Sequence, residues 1–168
     1  MGIVFKAFDS ELHRVVAIKV MAPQLANKGS APKRFARESQ AAAAVLHPNV
    51  VPIHNVESEG ELPYLVMQFV PGCSLQTRVD RNGPPDVDEA LRIARQTAAG
   101  LAAAHQQGLI HRDVKPSNIL MEDEVDRVVL SDFGLARTVD DASAVGGLLG
   151  GRRGSLPLLE LVVGLRLV

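Results

Sequence analysis

Apolar positions along this chain change their period several times, and each change marks an element. Over residues 1–8, Ile3, Phe5 and Ala7 alternate with Val4, Lys6 and Phe8, which is the period of a strand. Arg14 to Val20, reading RVVAIKV, is a second strand by its β-branched content. From Ala31 to Leu46 the period lengthens: Phe35, Ser39, Ala42, Ala43 and Leu46 recur at helical spacing, and Pro32 is tolerated in the first turn. His47-Pro48-Asn49 stops this helix. Val50 to Val56 and Leu62 to Val70 predict two strands joined across a polar turn that contains Gly60.

Further on, Ser74 to Asp80 predicts a short helix and Arg81 to Pro85 a turn cluster. Asp86 is placed to cap a long helix, with Glu89 completing a capping box. Its apolar stripe is Ala90, Ile93, Ala94, Thr97, Ala98, Leu101, Ala104 and His105, and Gly108 suits a left-handed C-cap. Ile119 to Met121 and Val128 to Leu130 then form a hairpin around an acidic turn.

Composition narrows the class. A chain of 168 residues has room for one domain with a real core, or one domain and a fragment. A net charge of −1 leaves no large footprint for nucleic acid or a membrane surface. The single Cys73 excludes an internal disulfide, fits a reducing cytoplasm, and has no base beside it in sequence to activate it. His47, His54 and His105 lack partners at metal-binding spacing and are read as structural, His105 as partly buried. There is no basic-then-apolar leader. Leu156 to Val168 is interrupted by Glu160 and Arg166 and is too short to span a bilayer.

Two short runs carry chemistry: His111-Arg112-Asp113-Val114-Lys115-Pro116-Ser117-Asn118 and Asp132-Phe133-Gly134. Asp113 is ionised at neutral pH and suits the acceptance of a hydroxyl proton. Lys115 lies two residues on, placed to neutralise charge on a moving group. Asn118 and Asp132 offer hard oxygens of the kind Mg²⁺ takes.

The runs HRDVKPSNIL and DFGLAR together resemble the eukaryotic-like Ser/Thr protein kinases of bacteria. The resemblance covers roughly Gly2 to Asp141. It implies an α+β, protein-kinase-like fold: a small β-rich lobe with one helix over residues 1–70, and the first part of a helical lobe over 71–141 that carries both runs. It implies ATP and Mg²⁺ as cofactors, with Asn118 and Asp132 as metal ligands and Asp113, Lys115 and Asn118 as the catalytic set. Gly2 matches the last glycine of a phosphate-covering loop, and Val4 and Ala17 the roof over adenine. Lys19 matches the strand lysine that reaches the phosphates, paired in the family with a helix glutamate, here Glu38. Met67 takes the gatekeeper position, the backbones of Gln68 and Val70 face adenine, and Leu120 is the floor beneath it. Arg112 marks the subclass in which a phosphorylated loop pairs with this arginine, and Thr138 and Ser143 are the nearest hydroxyls.

The pattern departs beyond about Ala144, where a glycine-rich stretch and a leucine-rich end replace the family's continuation, and only the last glycine of the expected loop stands at the start. Residues 142–168 are therefore expected to be a divergent tail, disordered or irregular, and the chain a fragment truncated at both ends, with impaired activity. The stripe on the long helix is expected to lack its usual partner helix. The leading expectation is a cytoplasmic enzyme that phosphorylates protein Ser/Thr residues. A kinase-like module that binds nucleotide, a partner kinase or a second copy without transfer is the alternative.

Overall fold

β-branched and apolar residues at alternate positions pair the first two strands along their whole length. β1 (Ile3–Asp9) and β2 (Arg14–Val20) are antiparallel, with Val4 opposite Lys19 and Lys6 opposite Ala17. This computed structural model describes residues 2–22, 29, 31–58, 62–123, 125–133 and, for the backbone alone, 165–167. β2 pairs next with β4 (Tyr64–Gln68), which pairs with β3 (Ile53–Glu57). With β8 (Leu165–Leu167) on the outer edge of β1, the sheet order is β3-β4-β2-β1-β8.

Directly opposed side chains in an antiparallel ladder share a face. Lys19 and Ala17 therefore share one with Val4, Lys6, Leu65 and Met67. Ala17, Leu65 and Met67 on that face pack with Met21, Phe35, Val51 and Val129. Phe35 is the buried anchor of α1 (Ala31–Ala43), which it seats on the sheet with Ser39 and Ala42. The opposite face is closed by Ala7, Val16, Ile18, Val20 and Val66.

β5 (Gly72–Ser74), β6 (Ile119–Glu122) and β7 (Val128–Leu130) form a second antiparallel sheet in that order. Ser74 caps α2 (Leu75–Asn82), its hydroxyl accepting from the Thr77 N–H at 3.1 Å. Asp86 caps α3 (Val87–Gln106), its carboxylate accepting from the Glu89 N–H at 2.8 Å. Glu89 does not close the box in return; its carboxylate takes the Arg78 guanidinium and ties α3 to α2. α3 ends as expected on Gly108 at φ +71°, with Gly108 N–H bonded to the His105 carbonyl and Leu109 N–H to that of Ala104.

Some sequence expectations are corrected. α1 stops at Ala43, so Leu46 is 87 % exposed and Val45 takes the buried place. Pro48 disfavours helical geometry at His47, so the helix does not run on through it. Val50 and Val51 do not lead a strand paired to β4: Val50 bridges in parallel to Leu130, and Val51 N–H bonds the Leu130 carbonyl, locking the two sheets together. On α3 only Ile93, Thr97 and Ala104 of the expected stripe are buried and Leu101 is half-buried, while Ala90, Ala94, Ala98 and His105 face outward; Gly100, outside the expected stripe, is buried as well. β7 packs against the buried side of the helix, and Arg78 of α2 reaches its first turn through Glu89. Of the tail, only residues 165–167 fall within the described region, and there the backbone is a strand.

Candidate active site

Both chemistry-bearing runs meet at the open end of the β6–β7 hairpin, where Ile119 pairs with Leu130. His111, only 1 % exposed, accepts the Asp113 N–H on Nδ1 at 3.3 Å. That fixes the ring proton on Nε2, which donates to the Ser131 carbonyl at 2.8 Å. The His111 ring also lies 4.6 Å from that of Phe133, itself buried. Ser131 N–H in turn donates to the Asn118 carbonyl at 3.0 Å. One short network thus ties 111–118 to 131–133 and sets Asp113, Asn118 and Asp132 around a common space.

Within the loop, Asp113 Oδ2 accepts from Lys115 Nζ at 2.7 Å and from Asn118 Nδ2 at 3.1 Å. Asn118 Nδ2 also donates to the Asp113 carbonyl at 2.9 Å. With its N–H groups spent on Asp113, Asn118 is left with Oδ1 to offer a cation. Pro116 opens the 3-10 turn Pro116–Asn118 that holds Asn118, 5 % exposed, in this orientation. Asp132 and Arg112 both adopt left-handed backbone, at φ +64° and +59°. Conformations this uncommon for residues with a Cβ persist where their surroundings determine them.

Lys19 reaches into this space from β2 and makes its ion pair with Asp132, Nζ to Oδ1 at 2.7 Å. The expected Lys19–Glu38 ion pair is not formed in this structure. Glu38, half-buried on α1, has its carboxyl held above the ordinary glutamate range, chiefly by burial, while Arg112, Arg37 and Arg34 act in the opposite direction. Among the described residues no group of three or more His, Cys, Asp or Glu could hold a metal ion unaided. Asp132 and Asn118 fit a cation that keeps water and ligand phosphates as most of its shell, the habit of Mg²⁺.

The apolar positions also converge. Leu120 packs into the cluster that contains Ala17, Met67 and Val129, and Val70 borders the same cluster. Val4 stands beside this group on the shared sheet face and is 52 % exposed. Gly2 abuts β2 so closely that a Cβ there would lie 2.1 Å from the Val20 carbonyl oxygen. Gln68 donates its N–H to the Pro52 carbonyl at 2.9 Å. Thr138 and Ser143, with Gly134, lie outside the described residues.

Sequence reading missed the residues that hold the hairpin from behind. Asn49 Nδ2 donates to the Val128 carbonyl at 2.7 Å and to Gln96 Oε1 at 2.9 Å, and Gln96 Oε1 accepts the Val128 N–H. Gly100 lets α3 approach this turn: a Cβ there would meet the Asn49 carbonyl oxygen at 2.6 Å. An Asn directly after Pro48 and a Gly inside a helical stripe were the available signals.

The family model described as the protein kinase domain matches residues 1–152. The probable serine/threonine-protein kinase pknA2 of Bifidobacterium longum is 41 % identical over 155 residues, which is 89 % of this chain and 20 % of that protein. Serine/threonine-protein kinase PrkC of Bacillus subtilis is 38 % identical over 85 % of this chain and 22 % of its own length. Among solved structures, the Mycobacterium tuberculosis PknI kinase domain aligns with a TM-score of 0.73 at 33 % identity, covering 82 % of this chain and 56 % of that one. The chain thus spans about a fifth of the length of the curated relatives it matches.

Proposed function

The chain belongs to the protein kinase domain family, and from that premise we propose that it transfers the γ-phosphoryl group of ATP to Ser/Thr hydroxyls of proteins. In this reading residues 1–70 form the nucleotide-covering lobe, residues 71–141 the start of the lobe that carries the reaction, and 142–168 a divergent tail. Adenine lies between Val4 and Ala17 above and Leu120 below, against the backbone of Gln68 and Val70, with Met67 behind. Gly2 and Lys19 face the phosphates. Asp113 orients the attacking hydroxyl and accepts its proton as the oxygen–phosphorus bond forms and the bond to the leaving diphosphate breaks. Lys115, already within 2.7 Å of Asp113, neutralises charge on the group in transit. Asn118 and Asp132 are the side chains that would hold Mg²⁺, which supplies neutralisation of phosphate charge when bound.

The observation that carries this reading is the Asp113 carboxylate, fixed by Lys115 and Asn118 in a loop whose other end holds Asp132 against Lys19. The Lys115-Pro116 pair supports Ser/Thr rather than Tyr as acceptor. The single free Cys73 supports a reducing compartment, the cytoplasm, and no helix among the described residues is long and apolar enough to cross a membrane. A second reading, a module that binds nucleotide or a partner without transfer, draws on the Lys19–Asp132 pair standing in place of Lys19–Glu38. Radiolabelled ATP with a generic protein substrate separates the two. Transfer that is lost in Asp113→Asn supports the enzyme, binding of Mg-ATP without transfer supports the module, and transfer that survives Asp113→Asn refutes the mechanism.

A further inference from the structure

Lys6 and Phe69 touch across a strand that lies between them. Lys6 Nζ is 4.8 Å from the centroid of the Phe69 ring, within the range at which an ammonium is attracted to an aromatic face. Lys6 stands on β1 opposite Ala17, Ala17 stands on β2 opposite Met67, and Phe69 follows Met67 by two residues. The lysine therefore reaches diagonally past a small residue. β4 ends at Gln68, opposite Val16, so Phe69 and Val70 lie beyond its last ladder pair with β2. β1 and β4 share no ladder, since β2 separates them. The contact is thus a direct link between β1 and the segment that leaves β4, and the backbone pairing does not duplicate it. Phe69 is half-buried, while Lys6 is exposed.

We propose that Lys6 and Phe69 form a pin that sets the width of the adenine slot, which makes both of them nucleotide-positioning residues. The two ends of the pin carry the two walls of that slot. Val4 lies two residues from Lys6 on the same face of β1, and Gln68 and Val70 flank Phe69. Val70 also borders the cluster of Ala17, Met67 and Val129, against which Leu120 packs. A segment past the end of its ladder is steadied by side-chain contacts, and with few of them it opens locally at low cost. Holding it to β1 keeps the two walls at one separation before any ligand arrives. A preformed slot binds a flat ring without the loss of freedom that ordering its walls would entail. The pin acts on the part of the site that takes the ring, and the phosphate end is served by Lys19 and Asp132. The contact itself stands on geometry; its role rests on the nucleotide reading above.

The test compares the full chain with Lys6→Met, Phe69→Leu and their double variant, and with the conservative variants Lys6→Arg and Phe69→Tyr. The readouts are equilibrium affinity for adenosine and for Mg-ATP, and urea unfolding without ligand. Lys6→Met and Phe69→Leu are each expected to weaken both ligands by the same factor, about two- to fivefold, the size of one exposed cation–ring contact. The double variant should bind no more weakly than either single one, because the second change finds the contact already gone. Lys6→Arg and Phe69→Tyr keep a cation and a ring in place and should retain the affinity of the parent chain. Equal affinities across all the variants overturn the positioning role and leave the nucleotide reading standing. Weaker Mg-ATP binding with adenosine unchanged would make Lys6 a phosphate contact and overturns the pin. Tighter adenosine binding by Lys6→Met overturns it as well, since the side chain would then fill the slot instead of framing it. Loss in Lys6→Arg equal to that in Lys6→Met removes the ring contact as the cause. If the parent chain binds neither ligand, the positioning role falls together with the nucleotide reading. Non-additive unfolding of the two single variants then still decides whether Lys6 and Phe69 hold each other.

Discussion

Lys19 and Asp132 are each other's counter-ion: Nζ lies 2.7 Å from Oδ1, and the two side chains retain 11 % and 27 % of their accessible surface. The pair joins β2 to the segment after β7, so one ionic contact closes the site from both sheets. It also occupies the carboxylate that the proposed reaction needs for a cation. Binding Mg-ATP must then redistribute Lys19 between Asp132 and the phosphates.

Removing either partner leaves the other charge withdrawn from water without its counter-ion. A fully buried pair would lose more, but this one is partly open, so Lys19→Met and Asp132→Asn should each cost about 2 kcal/mol. The double variant should cost clearly less than the sum. Urea unfolding of the four proteins gives the coupling. Strict additivity would mean that the ion pair contributes nothing.

Asp113→Asn keeps the shape of the loop and removes the proton acceptor. Transfer should fall by about 10² to 10⁴ with Mg-ATP affinity little changed. Lys115→Ala should lower the turnover number by a smaller factor, because it removes the neutralising charge and leaves Asp113 in place. Steady-state kinetics separate the two, since loss of an interaction made only in the transition state lowers kcat and kcat/KM together. A rise confined to KM would reassign Asp113 to binding.

Asn118 is buried and donates to both the carbonyl and the carboxylate of Asp113. Asn118→Asp replaces both donors with a second carboxylate facing the first. Stability at neutral pH should drop by about 2–3 kcal/mol and recover in part as the pH falls and one carboxyl takes up a proton. Thermal melts at two pH values check this. An unperturbed variant would show that the amide's donors are not used.

The strands β1, β2 and β4, the capped helix α3 and both chemistry-bearing runs were legible because each rests on local pattern: period two, a capping Asp86 with a terminal Gly108, and contiguous motif residues. What failed was set by contacts distant in sequence. Val50 looks like strand, yet its partner is Leu130 in the other sheet. Ala90, Ala94 and Ala98 look like core, yet their exposure depends on which elements cover α3. The counter-ion of Lys19 was the least legible choice, because Glu38 and Asp132 are both acidic residues in family-matching positions and only geometry picks between them.

Gly100→Ala sets two effects against each other. Alanine favours the helix by about 1 kcal/mol over glycine. Its Cβ, however, would sit 2.6 Å from the Asn49 carbonyl oxygen, and that oxygen accepts the Leu130 N–H at 2.9 Å. The obstacle is backbone held on both sides, so the clash wins, and a net loss of about 1–2 kcal/mol is expected. Denaturant unfolding should show it, with hydrogen exchange loosening first at Leu130. A stabilised Gly100→Ala would mean that α3 can shift away from the turn without cost.

Glu38 gives the chain a pH dependence of definite sign. Burial is the largest influence on its carboxyl and raises its pKa; Arg112, then Arg37 and Arg34, oppose the rise without cancelling it. A carboxyl raised in the folded state holds its proton more tightly there than in the unfolded chain. Between the ordinary glutamate value and the raised one, the folded state carries the extra proton, so stability from this group declines as pH increases through that window. Below the window, at about pH 4, both states are largely protonated and no penalty remains; above it the penalty is complete. Glu38→Gln removes the titration. Its melting temperature should exceed that of the parent chain at pH 7 and converge with it near the acid end, which paired thermal scans across pH would record. If Glu38→Gln were instead the less stable protein at pH 7, attraction to the arginines would outweigh burial, and the glutamate would be a net stabiliser of α1 where it now lies.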